Sequence, residues 1–260
     1  MPLGQNLKLR AALGTGTSTA TGRFSTAQYL AGGAAGRVRQ WTAASFTLAV
    51  LFRLTDRATA QYLIDTSNGA TSWGFLLEVS ANTLIAGIMG TANASWSTAL
   101  NAADVGLDCL AVVTTYTATS RQLTLNGRRV ATNATNTAVG ANAAGVPTIG
   151  VKGVTPGVAS PFLGGIYDIA ISYEVALAAA DQQAFFEQVV AEGGLPSSLN
   201  GTRWSHFMHA EDYSGDVSRG QVQLGDRASG VNWKLPVAAN GSPTTLNLSP
   251  LRPLVFGPTG

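Results

Sequence analysis

The chain is poor in charge. Asp, Glu, Lys and Arg make up 12% of its 260 residues, about half the roughly 25% usual for a soluble domain. Net charge is +2, and the basic residues are scattered. Their densest spots, Arg37-Val38-Arg39 and Arg128-Arg129, read as solvated turns, so no electrostatic footprint for nucleic acid is present. Cysteine is nearly absent as well. Cys109 is the single one, which excludes an internal disulfide framework. Its neighbours Leu107, Leu110 and Val112 mark it as a small buried hydrophobe rather than a reactive thiol. No apolar run approaches the roughly eighteen residues of a membrane span, and Pro2 to Arg10 lacks the apolar centre of an export signal. The expectation is a chain made in the cytosol, with neither membrane nor nucleic acid among its partners.

Chemistry-bearing clusters are also missing. Glycoside hydrolysis needs two carboxyl groups flanking the scissile bond, yet Glu78 and Asp168, the acids on expected strands, stand alone in the sequence. The segment His206-Phe-Met-His209-Ala-Glu211-Asp212 holds ligand-type residues, but two histidines in a short linear run do not supply the three or four convergent ligands of zinc. Ser205-His206 lacks a nucleophile elbow. This segment reads as a polar loop. Asp65 with Asn68 is the sole pair resembling a calcium loop, and an Asx-turn explains it more simply. No catalytic residue, metal or cofactor is therefore expected.

What is present is a succession of short extended segments. Leu110 to Tyr116 is apolar or β-branched at nearly every position, as in a central strand covered on both faces. Leu123 and Leu125 alternate with Gln122 and Thr124, the period of a strand with one buried face. Asn126-Gly127 is a strong hairpin signal because both residues tolerate positive φ. Further strands are expected over Phe24–Leu30, Ser45–Leu54, Tyr62–Asp65, Trp73–Val79, Thr83–Met89, Ser95–Leu100, Pro147–Val151 and Phe162–Ser172. Turn residues separate them and crossover helices are missing, which predicts an all-β antiparallel sandwich. One helix is expected over Leu177–Glu192, stopped by Gly193-Gly194. The Gly/Thr/Ser-rich residues 1–23 read as an N-terminal arm, 24–195 as the sandwich, and 196–260 as a C-terminal extension that docks or reaches.

The pieces SFTLAVLFRL, WGFLLEV, LAVVTTY, RQLTLNGRRVA, PTIG and FLGGIYDIAIS, with a short helix after the last, give Phe24 to about Glu192 a family likeness. This stretch resembles the laminin-G-like, concanavalin A-like lectin/glucanase jelly rolls. The resemblance implies an all-β, two-sheet antiparallel jelly roll with one short helix and extended N- and C-terminal arms. Many members carry Trp-His just before the central strand, where this chain has Leu107-Asp108. The carboxylate cluster of the catalytic glucanases has no counterpart, so the resemblance implies a member without enzymatic activity.

Large aromatics supply the candidate contact residues. Trp96, among Asn93, Ser95 and Ser97, is either a platform for a sugar ring or an interior tryptophan; with Asn93, Asp65 and Asn68 it forms the candidate ligand-binding set. Trp73 matches a core position of the family. Trp204, Trp233 and Phe256 are the candidate docking residues, anchoring the C-terminal extension to the sandwich or to a neighbour. The N-glycosylation triplets at Asn93, Asn133, Asn200 and Asn240 are expected to be chance. A lectin-like body with low charge and a long extension looks like an accessory structural protein of a bacteriophage particle, a head decoration or a tail-associated adhesin. Its expected partners are neighbouring virion proteins, as a homo-oligomer or particle-bound copy, and a cell-surface glycan. Its expected location is the virion, assembled in the bacterial cytoplasm. The alternative is a free, extracellular carbohydrate-binding module, with a glycoside hydrolase as the third reading.

Overall fold

The computed structural model describes residues 30–31, 45–66, 74–89, 94–117, 119–135, 148–150, 152, 160, 162–216, 221–228, 232–234 and 254–257. Its strands in chain order begin with β1 (Leu30–Ala31), β2 (Phe46–Leu54), β3 (Gln61–Asp65), β4 (Gly74–Ser80), β5 (Thr83–Met89) and β6 (Ala94–Ala99). Next come β7 (Asp108–Thr117), β8 (Ser120–Leu125), β9 (Arg129–Asn133), β10 (Thr148–Ile149) and β11 (Gly164–Ser172). Helix α1 (Gln182–Glu192) follows, then β12 (Ser198–Leu199), β13 (Thr202–Arg203), β14 (His206–Asp216), β15 (Gln221–Asp226) and β16 (Asn232–Lys234). The segments expected between Ser45 and Ser172 all appear, displaced by a residue or two at their ends. Of the expected strand Phe24–Leu30, only Leu30 lies within the described residues.

Main-chain pairing runs β6-β5-β4-β3-β10-β1-β16-β15-β14-β11-β2-β7-β8-β9, and every ladder in it is antiparallel. The ribbon folds over so that its two ends meet. Strand β6 lies along β9, where the Asn133 side-chain amide donates to the Ser95 carbonyl at 3.3 Å. The result is a jelly-roll sandwich of two layers, one centred on β4 and β5, the other on β2 and β7.

Period-two alternation fills the space between the layers. Phe46, Leu48, Val50, Phe52 and Leu54 of β2 point inward, with Cys109, Ala111 and Val113 of β7 and Ile166, Ile169 and Ile171 of β11 beside them. From the facing layer come Phe75, Leu77, Val79, Leu84, Ala86, Ile88 and Trp96. Phe46 meets Phe75 edge-to-face with centroids 5.7 Å apart.

The opposite faces of β2 and β7 are covered too, which is why their sequences show so little alternation. Ala49, Leu51, Leu110 and Val112 pack with Phe185, Phe186 and Val189 of α1. Each leucine, valine or phenylalanine so buried contributes about 1.5 to 3 kcal/mol. The helix begins later than the sequence predicts. The Leu177 amide is held by Thr47 Oγ1 at 2.8 Å, and Ala178 stays extended with ψ 146°. A 3-10 turn at Ala179–Asp181 must therefore intervene. Gly193, at φ +65°, closes the helix, its N–H reaching the Val189 and Val190 carbonyls.

The segment from His206 to Asp212, expected as a polar loop, is instead strand β14, paired along β11 from Asp168↔His209 to Ile171↔His206. Met208 joins the interior and Phe207 the outer cluster. Burial on both faces again erased the pattern by which a strand is recognised. Strand β14 is thus part of the main sheet, beside β11.

Candidate functional site

The sandwich has two outer faces, and one is closed. On that closed side lie two carboxylates, Asp108 and Asp168, both fully buried. A bulge between Ile166 and Asp168 turns both Tyr167 and Asp168 outward. Asp168 Oδ2 accepts the Leu195 amide at 2.9 Å, and its Oδ1 lies 3.6 Å from His209 Nδ1. Asp108 Oδ1 accepts the Tyr167 hydroxyl at 2.9 Å. Asp168 sits directly across from His209 and ties down the chain that leaves α1. These acids clamp structure and do not face solvent.

The other outer face carries no helix among the described residues. Strand register builds it in rows. Tyr62 sits opposite Glu78, Glu78 opposite Ile85, and Ile85 opposite Ser97. Leu76, Gly87 and Ser95 form a second row, and Ser80, Thr83 and Ala99 a third. Ser95, Ser97 and Ala99 are exposed, Glu78, Ser80, Thr83 and Ile85 half-buried, and Tyr62 and Leu76 buried. Gly87 has a packing reason. A Cβ there would lie 3.0 Å from Leu76 Cδ1, so the glycine lets Leu76 lie over β5 and keeps the row shallow.

At the closed end of the first row Tyr62 sits beside Glu78, its register partner. Burial first, then the neighbouring Glu78 and Asp65, hold its phenol well above its ordinary value. Lys152 Nζ stands 5.7 Å from the centre of the Tyr62 ring. The open end offers the hydroxyls of Ser95 and Ser97 and the apolar edge of Ile85. Such a surface is a shallow grid of acceptors and donors around an apolar step, suited to a flat polyhydroxylated ligand.

The candidate residues divide between interior, surface and undescribed positions. Trp96 is 5% exposed and belongs to the interior cluster, because on β6 it shares the inward side with Ala94 while Ser95 and Ser97 face out. As a sugar platform it is thus corrected to a core residue. Asp65 is fully buried on β3, opposite Leu76 and Thr148. Asn68, Asn93 and Trp73 lie outside the described residues. Trp204 is buried, its indole N–H donating to the Pro196 carbonyl at 2.8 Å, with its ring 6.3 Å from Phe185. Phe256 packs edge-on against Phe186 at 5.2 Å. Trp233 pairs with Leu224 in β16, and its side chain lies outside the described residues. Among the described residues no three His, Cys, Asp or Glu side chains converge as metal ligands. The exposed serines were legible as the alternation A-S-W-S-T-A; their partners Ile85 and Glu78 were not, since only strand register brings them together.

Comparison with known proteins places this geometry in context. A laminin G family profile, described as the concanavalin A-like lectin/glucanases superfamily, matches residues 24–181. A Bacteroides ovatus structure described as a candidate carbohydrate binding protein aligns with a TM-score of 0.64 at 14% identity, over 96% of this chain and 63% of its own. This chain thus spans a little under two thirds of that protein. The CBM40 module of a Ruminococcus gnavus IT-sialidase, bound to alpha2,3 sialyllactose, aligns with a TM-score of 0.48 at 17% identity, over 55% of this chain and 83% of that one. Domains LG4-5 of the mouse laminin alpha1 chain give 0.47 at 14% identity, over 67% and 43%. No curated protein matches the chain.

Proposed function

The chain belongs to the concanavalin A-like lectin/glucanases superfamily, and we propose that it is a non-catalytic glycan-binding module whose ligand lies across the outer face of β4, β5 and β6. One observation carries this reading: the open rows that end in Ser95, Ser97 and Ala99, with Glu78, Thr83 and Ile85 half-exposed behind them. Same-face side chains repeat about every 6.8 Å along a strand and about 4.8 Å across strands, a grid on the scale of a sugar ring. Hydroxyls and a carboxylate bond the ring hydroxyls, while Ile85 covers its C–H face. Glu78 is the one carboxylate of these rows, and cleavage of a glycosidic bond needs two. The acids Asp108 and Asp168 are committed to holding the other layer together.

A glycan array probed with the purified chain tests the reading, followed by titration of any positive glycan against Ser97→Trp and Glu78→Gln. Binding is expected for the parent chain and should fall at least tenfold in both variants, with thermal unfolding unchanged for Ser97→Trp, whose site is exposed. An empty array, or a positive glycan indifferent to Ser97→Trp, overturns it.

The finer role expected from the sequence, a copy carried on a bacteriophage particle, is a second proposal. The low charge and the long C-terminal extension motivate it. It predicts ordered multimers or copies that co-purify with particles, and a monodisperse monomer never found with an assembly counts against it.

A further inference from the structure

On the closed side of the sandwich, far along the sequence from its receptor, a short piece of chain fills a notch at the start of β7. Residues Leu254 to Gly257 lie beside Leu107 and Asp108. The Asp108 amide donates to the Val255 carbonyl at 2.8 Å, the Val255 amide donates to Asp108 Oδ2, and Asp108 and Phe256 form an isolated parallel bridge. Leu254 and Phe256 pack against the outer cluster, with Phe256 edge-on to Phe186. Val255, between them, is 50% exposed. Gly257 is buried, and a Cβ on it would stand 3.0 Å from Leu107 Cδ1. The pattern is an extended apolar-X-apolar-Gly tetrapeptide, read by alternate side-chain pockets and by main-chain bonds, the logic of strand addition.

We infer that this notch is a strand-exchange site between copies of the chain, its occupant in the exchanged state being the Leu254–Gly257 segment of a second copy. Two features point there. The seated segment is small and self-contained, and every contact it makes within its own chain is available unchanged from a neighbour's. Its tether is long: residues 235–253 separate it from β16, and fully extended they span about 65 Å. Because the bonded state is the same in both arrangements, the balance depends only on concentration. Two segments joined within one chain meet at an effective concentration that is on the order of a millimolar. Dilute copies therefore seat their own tails, and exchange sets in where copies are packed to about that density, as within an ordered assembly.

The test is a concentration-dependent crosslink in the full chain. Leu107→Cys with Gly257→Cys places one thiol on each side of the notch; the native Cys109 is 1% exposed and does not compete. Oxidised at micromolar concentration, the double variant is expected to yield a monomer with an internal disulfide. Near a millimolar, disulfide-linked dimers should become a major species on a non-reducing gel, with neither single variant forming them. Internal links alone at every concentration, or no link at all, overturn the proposal. Dimers formed equally by a single variant would assign the link to random collision and overturn it as well. A second readout needs no new thiol. Sedimentation of the wild-type chain should show dimer growing in toward the millimolar range; a monomer at every concentration up to that range counts against exchange.

Discussion

Two Asn-Gly turns in this chain share a backbone and differ in surroundings, which makes them a matched pair. Asn126-Gly127 joins β8 to β9 with φ of +52° and +73°, and Asn200-Gly201 joins β12 to β13 with +49° and +78°. An alanine at either glycine pays for the left-handed conformation, about 1 to 2 kcal/mol. At Gly201 nothing lies within 4 Å of the new Cβ, so the cost stops there. At Gly127 the Cβ would stand 2.8 Å from Phe186 Cβ and 2.8 Å from Gln183 Oε1. The turn cannot yield easily, since Leu110 donates its amide to Asn126 Oδ1 at 2.8 Å and accepts the Asn126 amide at 2.9 Å. The helix must move instead, at about 1 to 3 kcal/mol more. Gly127→Ala should therefore lose about 2 to 5 kcal/mol and Gly201→Ala about 1 to 2 kcal/mol. Urea unfolding followed by tryptophan fluorescence reads both as shifts of midpoint at constant slope. Equal losses in the two variants would refute the contact between the β8–β9 turn and α1.

Three further outcomes follow from the same contacts. Trp96→Ala should destabilise the fold by about 3 to 5 kcal/mol, measured by the same unfolding assay. Trp96→Phe should cost less, because the indole N–H it removes is buried and has no hydrogen-bond partner among the described residues. For Tyr62, burial and Glu78 raise the folded-state value above the ordinary 10.0. Below that value both states keep the proton. Above it the unfolded chain loses the proton first, so stability falls as pH rises, by at most about 1.4 kcal/mol per pH unit. Tyr62→Phe should flatten that alkaline loss in unfolding curves at successive pH values; an unchanged slope would show that the phenol is not so held. Asp168→Ala should cost about 3 kcal/mol or more, because it strips the buried Leu195 amide of its acceptor and removes the carboxylate 3.6 Å from the buried His209, and calorimetry reads it as a lower unfolding temperature.

Much of the sandwich was legible because strands β2 to β11 carry β-branched and aromatic residues between clear turn residues. What escaped had specific causes. His206 to Asp212 looked like a loop because polar histidines occupy positions buried on both sides of β14, each matched by a ring or an acid: His206 against Tyr173 and His209 against Asp168. The start of α1 was misplaced because a single side-chain oxygen, Thr47 Oγ1, more than a hundred residues away holds Leu177 extended. The candidate site was half visible. Alternation around Trp96 told which residues share a side, but the direction of that side depends on which layer β6 caps. The rows through Ile85, Glu78 and Tyr62 depend on register across four strands, which no local pattern encodes.

The most direct measurement is backbone amide chemical-shift mapping of the chain titrated with a glycan found positive on the array. The account predicts shifts clustered at Glu78, Thr83, Ile85, Ser95 and Ser97, with α1 and the Asp108 notch unmoved. Shifts centred on α1 or the β12–β13 hairpin, with the β4–β6 face silent, would contradict it.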